Sequence, residues 1–168
     1  TVYLYGTHYY DNIILTNGSV IRPPGSSDET ETLSLICDSL YIAYGSKITA
    51  SGDAYGTSDL ALPAQMPGGG GFGGAGGIGG GNNPGSGGEI YGDYNQLLAG
   101  SKGAGNFGGD GGGAIHITSN SALIEGSIHA FGANGWCGSD SGCSAATATG
   151  NGGGSGGMIW LEIPNLYF

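Results

Sequence analysis

The chain has 168 residues, 40 of them glycine, and its 13 acidic and 3 basic residues give a net charge of −10. At this length one domain spanning 1–168 is expected, with enough chain to bury a core. Arg22, Lys47 and Lys102 stand singly, which excludes nucleic acid and anionic membrane surfaces as partners, because phosphate neutralisation needs clustered cations.

Thr1-Val-Tyr-Leu-Tyr alternates as a strand does, and Tyr9 to Leu15 predicts a second strand that ends at the turn signal Thr16-Asn-Gly-Ser. Ser19-Val-Ile-Arg follows until Pro23-Pro24-Gly25 breaks it, and Ser26 to Thr32 reads as a polar loop. Thr32 to Cys37, Leu40 to Tyr44 and Lys47 to Ala50 are further short strands. A glycine-rich insertion then occupies about 53–113, half glycine from Gly68 onward, with Phe72, Ile78, Ile90, Tyr91, Tyr94, Leu97, Leu98 and Phe107 spaced along it as anchors. After it come Ala114 to Thr118, Ala122 to Glu125, Ser127 to Phe131 and Met158 to Ile163, with a Cys-bracketed loop at about 134–157. No run approaches the roughly 18 apolar residues of a membrane helix, so insertion into a membrane is not expected. A start at Thr1 without a leader pattern reads as a processed chain or a fragment.

Segments of the chain superpose on one another. Asn12-Ile-Ile-Leu-Thr-Asn-Gly-Ser-Val-Ile lies without a gap on Ser39-Leu-Tyr-Ile-Ala-Tyr-Gly-Ser-Lys-Ile, and Ser127-Ile-His-Ala-Phe-Gly repeats the end of that pattern. Such units cannot bury an apolar side alone but can when stacked. Parallel stacking predicts one column of Ile13, Leu40, Ile115 and Ile159 and another of Ile21, Ile48 and Ile128. The expected fold is all-β, a right-handed parallel β-helix (solenoid) of a few coils with long glycine-rich, polyglycine-like loops.

Gly6-Thr-His-Tyr-Tyr-Asp-Asn-Ile-Ile-Leu, Ile48-Thr-Ala-Ser-Gly-Asp-Ala-Tyr-Gly and Gly152-Gly-Gly-Ser-Gly-Gly-Met-Ile-Trp-Leu resemble the glycine-rich parallel β-helix repeats of large bacterial secreted and surface proteins. That resemblance implies an architectural role in adhesins and cell-surface fibres, with no catalytic motif.

The residues themselves offer little chemistry. Acidic residues fall mostly in turns, and Glu125 and Glu162 alternate with apolar neighbours as solvent-facing residues do. His116 and His129 read as a surface pair lacking further metal ligands. Gly108-Gly-Asp-Gly could offer carbonyls and a carboxylate to calcium, but the repeated glycine-aspartate nonapeptide is missing. No cofactor, metal or enzymatic activity is therefore expected. Asn17-Gly-Ser is a glycosylation sequon in a turn. Cys137 and Cys143 bracket a short flexible loop that a disulfide could close, and Cys37 sits in an apolar run as a buried thiol; zinc is the competing reading, but Cys-x5-Cys is not a four-ligand set. A bridge there implies an extracellular or cell-surface location.

Both ends are apolar. Val2, Tyr3, Leu4 and Tyr5 at one end and Trp160, Leu166, Tyr167 and Phe168 at the other are the candidate subunit interface. The expectation is a structural subunit of an extracellular filament or surface fibre, assembling head-to-tail with copies of itself. The alternative is an adhesin or phage tail-fibre module whose glycine-rich loops contact cell-surface or host glycans.

Overall fold

A computed structural model describes residues 1–24, 32–52, 69–72, 75–77, 85–91, 93, 95–104, 108–135 and 152–168. Among them are nine strands and no helix: β1 (Val2–Tyr3), β2 (Gly6–Leu15), β3 (Val20–Arg22), β4 (Thr32–Ile42), β5 (Lys47–Thr49), β6 (Ala114–Ile124), β7 (Ser127–His129), β8 (Ile159–Glu162) and β9 (Asn165–Tyr167). A small sheet has the order β1-β3-β5-β7, and a large one β2-β4-β6-β8 with β9 also on β6. Every pairing is parallel.

This arrangement corrects the expectation of a right-handed parallel β-helix. The described residues form two parallel sheets of four and five strands, and no coil closes. The reason lies in the glycine-rich segments. After β5 and again after β7 the chain does not return directly to the large sheet; it enters stretches whose described parts bond mainly to one another.

Those stretches make three-way circuits. Gly103 N–H donates to the Gly109 carbonyl, Gly109 to Gly152, and Gly152 to Ala104, each at 2.9 Å. Gly100, Gly112 and Ser155 link the same segments, with Ser155 donating to Ser101. Bonds that radiate to different neighbours draw backbones closer than side chains allow. A Cβ on Gly103 would strike the Gly152 carbonyl, and one on Gly157 the Gly113 carbonyl. Among the described glycines only Gly6, Gly18 and Gly45 have positive φ. In the glycine layer, then, glycine is required for space and not for a left-handed backbone. Phe72 and Tyr91 meet edge to face at 5.3 Å, and the Tyr91 hydroxyl donates to the Ala99 carbonyl at 2.6 Å. Burial pushes the Tyr91 phenol up. Leu97 and Leu98 are half-buried and Ile90 is exposed, while Ile78, Tyr94 and Phe107 lie outside the described residues.

The core lies between the sheets. Leu33, Leu35, Leu40 and Ile42 of β4 stack on Ile115, Ile117, Ala122 and Ile124 of β6, opposite Ile21 and Ile48 of the small sheet. Burying each such Leu or Ile contributes about 1.5–3 kcal/mol. Ile21, Ile48 and Ile128 share one column, and Ile13 pairs Leu40. Ile115, however, pairs Leu33, so the Ile13–Leu40 column continues through Ala122 to Leu166.

The long strands bend at a shared level. Cys37 and Leu40 both face the core, with Asp38 exposed between them, and Ser119 and Ala122 repeat this around Asn120. Asn120 Nδ2 donates to Asp38 Oδ1 at 3.1 Å, Ser39 Oγ to Asn12 Oδ1 at 2.5 Å, and Asn165 Nδ2 to the Asn120 carbonyl at 3.0 Å. Pro164, lacking an N–H, separates β8 from β9 at the same level. Two corners connect the sheets alike. Ser19 N–H donates to the Thr16 carbonyl around Asn17 and Gly18, and Ser46 N–H to Ala43 around Tyr44 and Gly45.

Candidate functional site

Chain order alternates between the sheets. β2 with β3, β4 with β5, and β6 with β7 each make a row, which leaves β1 and the β8–β9 pair over. β1 pairs β3 and so projects one row beyond β2; β8 and β9 lie on β6 and project one row beyond β7. The molecule thus has a step at each end, and the steps are complementary. Placing β2 of a second copy on β8–β9 of the first sets β1 of that copy on β7.

The facing edges match in length and shape. β2 runs from Gly6 to Leu15, and β8–β9 runs from Ile159 to Tyr167. Continuing the observed ladders sets Trp160 beside Thr7, Leu166 beside Ile13 and Tyr167 beside Ile14, with Pro164 level with Asp11. In the small sheet Val2 would extend the Ile21–Ile48–Ile128 column. No strand among the described residues pairs the outer side of β2 or of β8–β9. These outer strands carry backbone groups able to template a further strand.

Side chains at the edges are large and apolar. Val2, Tyr3 and Tyr5 are at least half exposed, as are Tyr9 at 74% and Ile14 at 66% on β2. At the other end Tyr167 is 60% and Phe168 88% exposed. Leu4 and Leu166 instead pack partly against the core. Trp160 lies 5.3 Å from the His116 ring. Both ends read as apolar from the sequence, but Tyr9, Tyr10 and Ile14 do not stand out as edge residues there, because chain order does not show that β2 is the outer strand of the large sheet.

Other candidates are scattered. His116 sits on the large sheet, 3.5 Å from Glu162 Oε2, and His129 on the small sheet, stacked on Phe131 at 4.7 Å, so the two do not form a pair. Glu125 accepts from the Tyr41 hydroxyl at 2.8 Å, which holds that phenol above its ordinary range. Asp110 pairs with Lys102 at 3.2 Å. Among the described residues no cluster of three acidic, histidine or cysteine side chains could hold a metal. No helix among them is long and apolar enough to cross a membrane. Asn17 occupies an exposed turn with φ 56°. Cys37 is a buried free thiol, and burial pushes it up, away from the reactive thiolate. Cys137 and Cys143 lie outside the described residues.

Comparison with protein-family models, curated proteins and solved structures returned no match.

Proposed function

We propose that the protein is a non-enzymatic structural subunit that assembles head-to-tail into an extracellular filament or surface fibre. The observation that carries this reading is the pair of complementary steps: β1 projects at one end, β8–β9 at the other, and each fits the place beside the other's sheet. A heterologous contact of this kind propagates as a helical array unless its rotation closes a ring. The exposed aromatic side chains at both edges supply the apolar burial. The charge of −10 per copy opposes it, so assembly strengthens as salt rises and the screening length falls to about 10 Å near 0.1 M.

Val2→Asp tests the contact. Val2 is 51% exposed in one copy but would be covered by Ile128 of the next, so the change leaves folding stability within about 0.5 kcal/mol. In the assembly it buries an unpaired carboxylate. Sedimentation velocity in 0.15 M salt is expected to show large polymers for wild type and folded monomers for the variant. Polymerisation of Val2→Asp at wild-type concentration contradicts the stepped contact.

A further inference from the structure

Two of the three basic residues, separated by 25 positions in a strongly acidic chain, line one groove on the same face. The register of the small sheet explains how. Ile21 and Ile48 pair and face the core, so Arg22 and Lys47, each one residue away, face out on adjacent strands. Thr49 and His129 pair next to them on β5 and β7. Together with Ser51 and Phe131 these side chains line an open groove of about 450 Å³, within the range of small-ligand sites of roughly 300–1,000 Å³.

Lys102 is paired with Asp110, but among the described residues neither Arg22 nor Lys47 has a carboxylate partner. Arg22 Nε is buried without a hydrogen-bond partner there, a costly state for a charge-bearing donor. Hydroxyls stand beside the cations: Thr49 Oγ1 and Ser51 Oγ lie 2.9 Å apart. The rings of Tyr3 and the His129-stacked Phe131 flank them. A planar guanidinium selects a carboxylate through paired hydrogen bonds. Hydroxyl partners and flat apolar rings suit the alternating polar edges and C–H faces of a pyranose.

We propose that this groove binds an acidic saccharide, with a uronate carboxylate held by Arg22 and Lys47 and the ring lying between Thr49, Ser51 and Phe131. The site lies within one copy and does not depend on assembly, so its failure leaves the filament reading untouched.

Calorimetric titration with trigalacturonate at low salt tests it, against maltotriose as the neutral match and inorganic sulfate as a bare anion. Trigalacturonate is expected to bind, to weaken with added salt, and to lose roughly tenfold or more in affinity with either Arg22→Gln or Lys47→Gln. Lys102→Gln, whose partner is Asp110, is expected to bind as wild type. Lys47 is outward and half-buried, so Lys47→Gln keeps the test valid should Arg22→Gln fail to fold. The proposal is overturned if trigalacturonate does not bind, if maltotriose or sulfate binds as tightly, or if Lys47→Gln leaves affinity unchanged.

Discussion

At the scale of single residues, glycine separates into two kinds. Gly103 faces the Gly152 carbonyl with no room for a methyl group, whereas an added Cβ on Gly77 would meet nothing within 4 Å. Gly103→Ala is therefore expected to cost roughly 1–3 kcal/mol through forced backbone shifts. Gly77→Ala, where φ is not positive, is expected to be neutral or to stabilise by about 0.4–1 kcal/mol by restricting the unfolded chain. Urea midpoints check both, and equal effects would contradict steric packing as the reason for glycine here. Composition announces the glycines but not this difference, which depends on which backbone lies opposite. Cys37 gives a pH signature. Its buried thiol keeps its proton longer in the folded chain than in the unfolded one, so its contribution is fully present below the ordinary thiol value of 9.0 and is lost as pH rises above it. Urea midpoints measured from about pH 8 to 11 are expected to fall less steeply for Cys37→Ala than for wild type.

At the scale of elements, the repeat was legible where apolar residues mark it and obscured where polar residues lie inside a strand. The 27-residue offset that sets Asn12 to Leu15 on Ser39 to Ile42 is the register of β2 on β4. The expected column sets Ile115 on Ile13 because Ile115-His-Ile repeats the alternation of Ile13-Ile-Leu, and the expected strands leave out Asp38-Ser39 and Asn120-Ser121. They are bends within β4 and β6, satisfied by side-chain hydrogen bonds along the stack. The usable signal was the recurrence of the polar pair itself, at Asp11-Asn12, Asp38-Ser39 and Asn120-Ser121. Asp38→Ala removes the acceptor for Asn120 Nδ2 and is expected to cost about 1 kcal/mol. A double-mutant cycle with Asn120→Ala checks that the loss belongs to this pair; full additivity would contradict it.

At the scale of the whole molecule, alternation between two sheets leaves one row over at each end, β1 at one and β8–β9 at the other, and that offset organises the proposed assembly. The steps could not be read from the chain, since they depend on β6 and β8 joining the large sheet across long glycine segments; the shared face of Arg22 and Lys47 could have been, because the expected Ile21–Ile48 column already turns both outward. The apolar ends could be read, because hydrophobic termini are conspicuous in any sequence. Each copy would contribute four rows to the large sheet, and rows lie about 4.8 Å apart, so one copy advances a straight stack by about 19 Å. Strands would run across the fibre and the large sheet along it. Helical reconstruction from electron micrographs of the wild-type protein, prepared in about 0.15 M salt, measures this advance directly. The expected result is a filament whose subunits repeat at about 19 Å, with β2 of one copy beside β8–β9 of the next. Monomers at high concentration, or a filament whose contacts leave β1 and β8–β9 uncovered, would contradict the account.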